Sequence, residues 1–148
     1  MTNRWNPLNE SVQAEASQPS RMPRNLEGLK VLVVDDDEDT VDLFAVALAA
    51  CGAAVTTATT AVIALRLANE IRPDVILSDI AMPDGDGYWL LDEIRRLPDE
   101  TARRVPIVAA TAFGQDHSRA RALAVGFKDH LQKPVDPDVL CLTVANAA

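Results

Sequence analysis

Residues 30–37 read Lys-Val-Leu-Val-Val-Asp-Asp-Asp, and residues 74–79 read Asp-Val-Ile-Leu-Ser-Asp. Each is a short β-branched apolar run ending on carboxylates, the pattern of a strand buried on both faces of a parallel sheet. Between them, Val41, Phe44, Ala45 and Leu48 recur at helical spacing, and Gly52 supplies a stop. Ala54–Ala58 reads as a Thr/Val strand. Val62, Leu65 and Ala68 mark a second helix, ending before Pro73 because the residue preceding a proline avoids the α region. Further on, Leu90, Leu91, Ile94 and Leu97 oppose Asp92, Glu93, Arg95 and Arg96 in an amphipathic third helix. The run from Pro106 to Thr111 is another strand, and Ala120, Leu123 and Ala124 carry a fourth helix to Gly126. Asp129–Gln132 is a short last strand and Asp136–Ala147 a last helix. The Arg103-Arg104 stretch predicts a solvated loop. Five strands alternating with five helices predict an α/β fold with a parallel sheet covered on both faces.

The chain has 148 residues, 48% hydrophobic and 24% charged, enough for one compact domain. Residues 1–27 are polar, contain Pro and Ser, and show neither period 2 nor period 3.6; they read as a disordered leader or linker before a domain at 28–148. The formal net charge is -8, from 14 Lys+Arg and 22 Asp+Glu, which excludes a nucleic-acid binder relying on bulk positive charge. The excess is local. Six acids fall in residues 35–42 and three in residues 79–86, with no base in either stretch.

Targeting signals are mostly negative. The N-terminus lacks the apolar core of a secretory signal. Leu43 to Leu65 is uncharged and long enough to span a bilayer, but only eight of its 23 residues are Leu, Ile, Val or Phe. A helix, a Gly stop, a strand and a second helix explain it better, so no membrane insertion is expected. Cys51 and Cys141 are far apart without a CxxC, and read as small buried hydrophobes in a reducing cytosol.

In an open parallel sheet, ligands bind beyond the carboxyl ends of the strands. Asp35, Asp36, Asp79, Thr111 and Lys133 each follow an apolar run, so five side chains from four strand ends converge on one edge. Carboxylates this close repel one another unless a cation joins them. A hard divalent ion with oxygen ligands fits, Mg2+ best, since it takes one or two carboxylates, keeps waters and adds a phosphoryl oxygen. A carboxylate there can act as nucleophile toward phosphorus, with Lys133 and the Thr111 hydroxyl stabilising the transferring group.

The strings VLVVDDDEDT (31–40), VILSDIAMPDGDGYWLL (75–91), PIVAATA (106–112) and HLQKPVDPDVL (130–140) closely resemble the receiver domain of bacterial two-component response regulators. The resemblance covers about residues 28–148. It implies a flavodoxin-like doubly wound five-stranded parallel sheet in order 2-1-3-4-5. By position it implies Asp79 as phosphoacceptor and Asp36 as a direct Mg2+ ligand. Asp35 is then a ligand held largely through water, and the Ala81 carbonyl completes the protein's share. Thr111 matches the switch hydroxyl, Lys133 the lysine that contacts the phosphoryl group, and the Lys133–Pro134 peptide is expected to be cis. The phosphodonor implied is a histidine kinase or histidine phosphotransfer protein, in the cytoplasm, and the domain is no enzyme beyond its own phosphorylation and dephosphorylation.

Blander readings stand beside these. An acidic run is often a solvated loop, and Asp37–Asp39 also suit the first turn of a helix. Asp84 and Asp86, in DGDG, read as loop surface. A haloacid-dehalogenase-type phosphatase shares the strand-end Asp, but its acidic pair after the lysine is matched only by Asp136 and Asp138. A flavin carrier shares the fold, yet six acids after strand 1 would repel its phosphate. A pseudo-receiver that binds without phosphotransfer is the alternative within the family. No output domain follows residue 148 in this sequence, so the expected output is contact with another protein or onward transfer of the phosphoryl group; a free-standing regulator and a module of a hybrid kinase both stay open. Two departures stand out. His130 occupies a position where receivers usually carry Tyr or Phe, which suggests a switch sensitive to pH near 6–7. Phe113, beside the phosphoryl position, is expected to shield the acyl phosphate.

Overall fold

The computed structural model describes residues 26–83, 86–112 and 118–148. In chain order the elements are β1 (Lys30–Val34), α1 (Glu38–Ala50), β2 (Ala54–Ala58), α2 (Ala61–Ile71), β3 (Val75–Asp79), α3 (Gly87–Ile94), α4 (Glu100–Arg103), β4 (Ile107–Ala112), α5 (Arg119–Val125), β5 (Asp129–Lys133) and α6 (Pro137–Ala147). The strands form one sheet in order β2-β1-β3-β4-β5, every pair parallel. Both the apolar strand runs and the strand order of the resembling family are therefore present.

Alternate residues of each central strand feed two separate cores, as the period of two requires. Leu32, Val34 and Ile76 face Ala64 and Ala68 of α2 and Leu90 and Ile94 of α3. Val31, Val33, Val75 and Leu77 face Phe44 and Leu48 of α1 and Leu140 and Val144 of α6. The small Ala residues of α2 let that helix lie close to the sheet. Cys51 and Cys141 are buried thiols in the second core, and burial, with Cys51 beside it, pushes the Cys141 thiol up to about 12.

Polar residues start the helices. Asp37, Thr60, Asp86, Asp99, Ser118 and Asp136 each accept a backbone N–H of the first turn, which satisfies a donor the helix leaves unpaired. One acid of each cluster, Asp37 and Asp86, thus serves as a cap. Asp86, read as loop surface, accepts the Trp89 N–H at 2.9 Å and begins α3; Asp84 lies outside the described residues.

One expectation changes. The Arg103-Arg104 stretch is not a simple loop: α4 closes it, with Arg95 donating to the carbonyls of Arg103 and Val105 and Arg103 donating to Leu97 and Pro98. The packed chain also reaches back past residue 28. Leu26 is fully buried in the second core, and its N–H donates to Cys51 O at 3.2 Å. The uncharged stretch from Leu43 to Leu65 divides into the rest of α1, β2 and the start of α2, and among the described residues no helix is long and apolar enough to cross a membrane.

Candidate functional site

Asp35 directly follows β1. Its backbone N–H donates to Ala58 O, and its Oδ1 accepts the Asp37 N–H at 3.0 Å, which fixes the carboxylate over the strand end at 1% exposure. Asp36 is exposed. Asp79 ends β3 and is buried. Oxygens of Asp35, Asp36 and Asp79 all lie within 4.8 Å of one another. Lys133 ends β5 and reaches across the sheet edge, its Nζ 2.6 Å from Asp35 Oδ2 and 3.7 Å from Asp79 Oδ2. The Lys133–Pro134 peptide that follows is cis.

Three carboxylates and one ammonium leave a local excess of negative charge, and Asp79 carries the consequence. Burial first, then the Asp35 charge, raise its pKa from 3.8 to about 6, against the lowering effects of Lys133 and the Ile80 N–H. The donor set fits a small hard cation. It is all oxygen, and its span is close to the separation of about 4.2 Å between opposite oxygens on a Mg2+ ion. Asp35, Asp36 and Asp79 are the residues able to hold it. Ala81 is exposed, between buried Ile80 and Met82, two positions beyond Asp79.

Thr111 lies in β4, one residue past Ala110, which is the register partner of Asp79. Its side chain is buried, and Oγ1 is 3.0 Å from His130 Nε2. The register explains the contact. Ala109 is paired with His130 and Thr111 with Gln132, so Thr111 and His130 are diagonal neighbours on one face of adjacent strands. Phe113 lies outside the described residues.

The sequence reading missed Gly87. Its N–H donates to Ile80 O at 2.7 Å, and a Cβ there would lie 2.5 Å from Asp79 O and 2.9 Å from Ile80 Cα. Only glycine lets the first turn of α3 approach the end of β3 this closely. The glycine of DGDG was the available signal, but it read only as a turn. Beside Lys133 a groove of about 400 Å³ opens between Leu43 and Phe44 of α1 and Pro134 and Val135.

With this geometry in place, the response regulator receiver domain family matches residues 31–145. A 14.6 kDa protein of Leptolyngbya boryana is 43% identical over 114 residues, 77% of this chain and 86% of that one. The regulatory protein AtoC of Escherichia coli is 36% identical over 118 residues, 80% of this chain but 25% of that protein, so the chain spans only part of such longer relatives. The solved structure of the chemotaxis protein CheY4 of Vibrio cholerae superposes with a TM-score of 0.73 at 30% identity, covering 81% of this chain and 98% of that one. The matched segment runs from β1 into α6 and takes in every strand end that carries a carboxylate, the threonine or the lysine, and the chain belongs to the response regulator receiver domain family of two-component systems.

Proposed function

We propose that the chain accepts a phosphoryl group on Asp79 and signals by the change this makes at the sheet edge. The observation that carries the reading is the buried Asp79 carboxylate beside two further carboxylates and an ammonium from the last strand. At neutral pH Asp79, with a pKa of about 6, is mostly ionised and able to attack phosphorus. An Asp79 oxygen forms the new bond to phosphorus as the bond to the donor's leaving atom breaks, and the electron pair departs with that atom. Lys133 holds charge on the transferring group, and the Thr111 hydroxyl donates to one of its oxygens. Mg2+, held by Asp35, Asp36 and Asp79 with Ala81, would supply positive charge against the carboxylates and the phosphoryl oxygens.

The donor in this reading is a histidine kinase or histidine phosphotransfer protein in the cytoplasm. The exposed Leu43 and Val46 of α1, beside the groove at Lys133, offer it an apolar landing face. This domain's own output in this reading is a protein contact, and its chemistry is the gain and loss of its own phosphoryl group. Membership in the receiver family removes the haloacid-dehalogenase-type alternative.

Incubation with Mg2+ and acetyl phosphate, followed by intact mass, tests this. The parent should gain one phosphoryl group and Asp79→Asn none. An unmodified parent would leave a pseudo-receiver that binds without phosphotransfer.

A further inference from the structure

A threonine hydroxyl has one proton to give, and where it points decides what the hydroxyl can bind. In this chain the Thr111 hydroxyl meets the imidazole of His130 at 3.0 Å, and among the described residues it has no other hydrogen-bond partner. With a neutral ring, two arrangements satisfy that distance. With the ring proton on Nδ1, Nε2 is an acceptor and takes the Thr111 proton. With the ring proton on Nε2, the ring donates to Oγ1 and the Thr111 proton is released to point elsewhere.

A phosphoryl oxygen on Asp79 is an acceptor only. While Thr111 keeps its contact with Nε2, it can serve that oxygen only in the second arrangement. We propose that His130 is a positioning residue that sets the direction of the Thr111 hydroxyl: it accepts at Nε2 while Asp79 is free and donates from Nε2 while Asp79 carries a phosphoryl group. This rests on the phosphoacceptor reading of Asp79 and deepens it.

The change needs no net charge. One proton leaves Nδ1 to water and one arrives at Nε2 from water, which the partial exposure of His130 permits. The charged groups that contact the His130 backbone are engaged with it and with each other. Asp129 Oδ1 accepts the His130 backbone N–H at 2.8 Å and pairs with Arg119, whose guanidinium also reaches the His130 carbonyl. A hydrocarbon ring at position 130 would offer neither state, so the proton direction is information this chain can hold through His130 and would lose with phenylalanine there.

The test uses the full chain with 15N-labelled histidine, the His117 and His130 signals being separated with His117→Asn. Acetyl phosphate and Mg2+ are added, and long-range 1H–15N spectra and intact mass are recorded on one sample. The expected result is that His130 Nε2 changes from an unprotonated to a protonated nitrogen with the mass gain and returns when the acyl phosphate hydrolyses. A mass gain with Nε2 unchanged overturns the inference alone; no mass gain overturns the phosphoacceptor reading, and this inference with it.

Discussion

Lys133 Nζ lies 2.6 Å from Asp35 Oδ2, a residue 98 positions earlier in the chain. The ammonium is thus held by the carboxylate of the first strand, and Asp79, at 3.7 Å, is its second partner. Any phosphoryl group arriving on Asp79 competes with Asp35 for this lysine.

Replacing that lysine should expose the repulsion it offsets. Lys133→Met is expected to lose about 2 kcal/mol, less than the 3–5 typical of a fully buried pair because the lysine keeps some contact with water. Millimolar Mg2+ should restore more stability to the variant than it adds to the parent. Urea unfolding with and without Mg2+ measures both, and equal Mg2+ effects would count against a shared cation role.

The raised pKa of Asp79 makes a statement about pH. Between 3.8 and about 6 the folded chain holds a proton that the unfolded chain has released, so this group's contribution to stability falls as pH rises through that window. The metal-free protein should be about 1 kcal/mol less stable near pH 7.5 than near pH 5 on this account, after allowance for screening. Asp79→Asn should remove that slope and be the more stable protein at neutral pH. Parallel pH profiles of the two proteins would contradict the assignment.

Gly87→Ala should force α3 away from the end of β3. The clash is with backbone, which cannot yield as a flexible side chain would. A loss of about 1–3 kcal/mol is expected, together with slower phosphoryl gain from acetyl phosphate, because the displaced backbone is that of Asp79 and Ile80. Unaltered stability and rate would show that the approach relaxes freely.

Leu26→Ala tests where the folded unit starts. A fully buried leucine loses about 2–5 kcal/mol on truncation to alanine. A loss under about 1 kcal/mol would return the boundary to residue 28.

The sheet was legible because each central strand announces itself as an apolar run ending on a functional side chain. The meeting of Asp35, Asp79 and Lys133 followed from the same pattern, since parallel strands align their carboxyl ends. What stayed hidden depended on contacts rather than on local pattern. Leu26 is one apolar residue in a polar stretch, and nothing adjacent marks it as core. Arg95 and Arg103 look like solvated charge until the carbonyls they bind are seen. Asp86 read as turn because a cap and a turn use the same residue types. The meeting of Thr111 with His130 required the register of β4 against β5, which one sequence does not carry.

The strand order also has a history during synthesis. Synthesis delivers the N-terminal elements first, so β1 and β3, which bring Asp35 and Asp79, emerge well before β5, an edge strand. Until Lys133 has left the ribosome and β5 has joined β4, a nascent sheet carries its carboxylates without their ammonium. A divalent cation bound at that stage would take the lysine's place as counter-charge, and the charge set at this edge becomes complete only when the last strand docks.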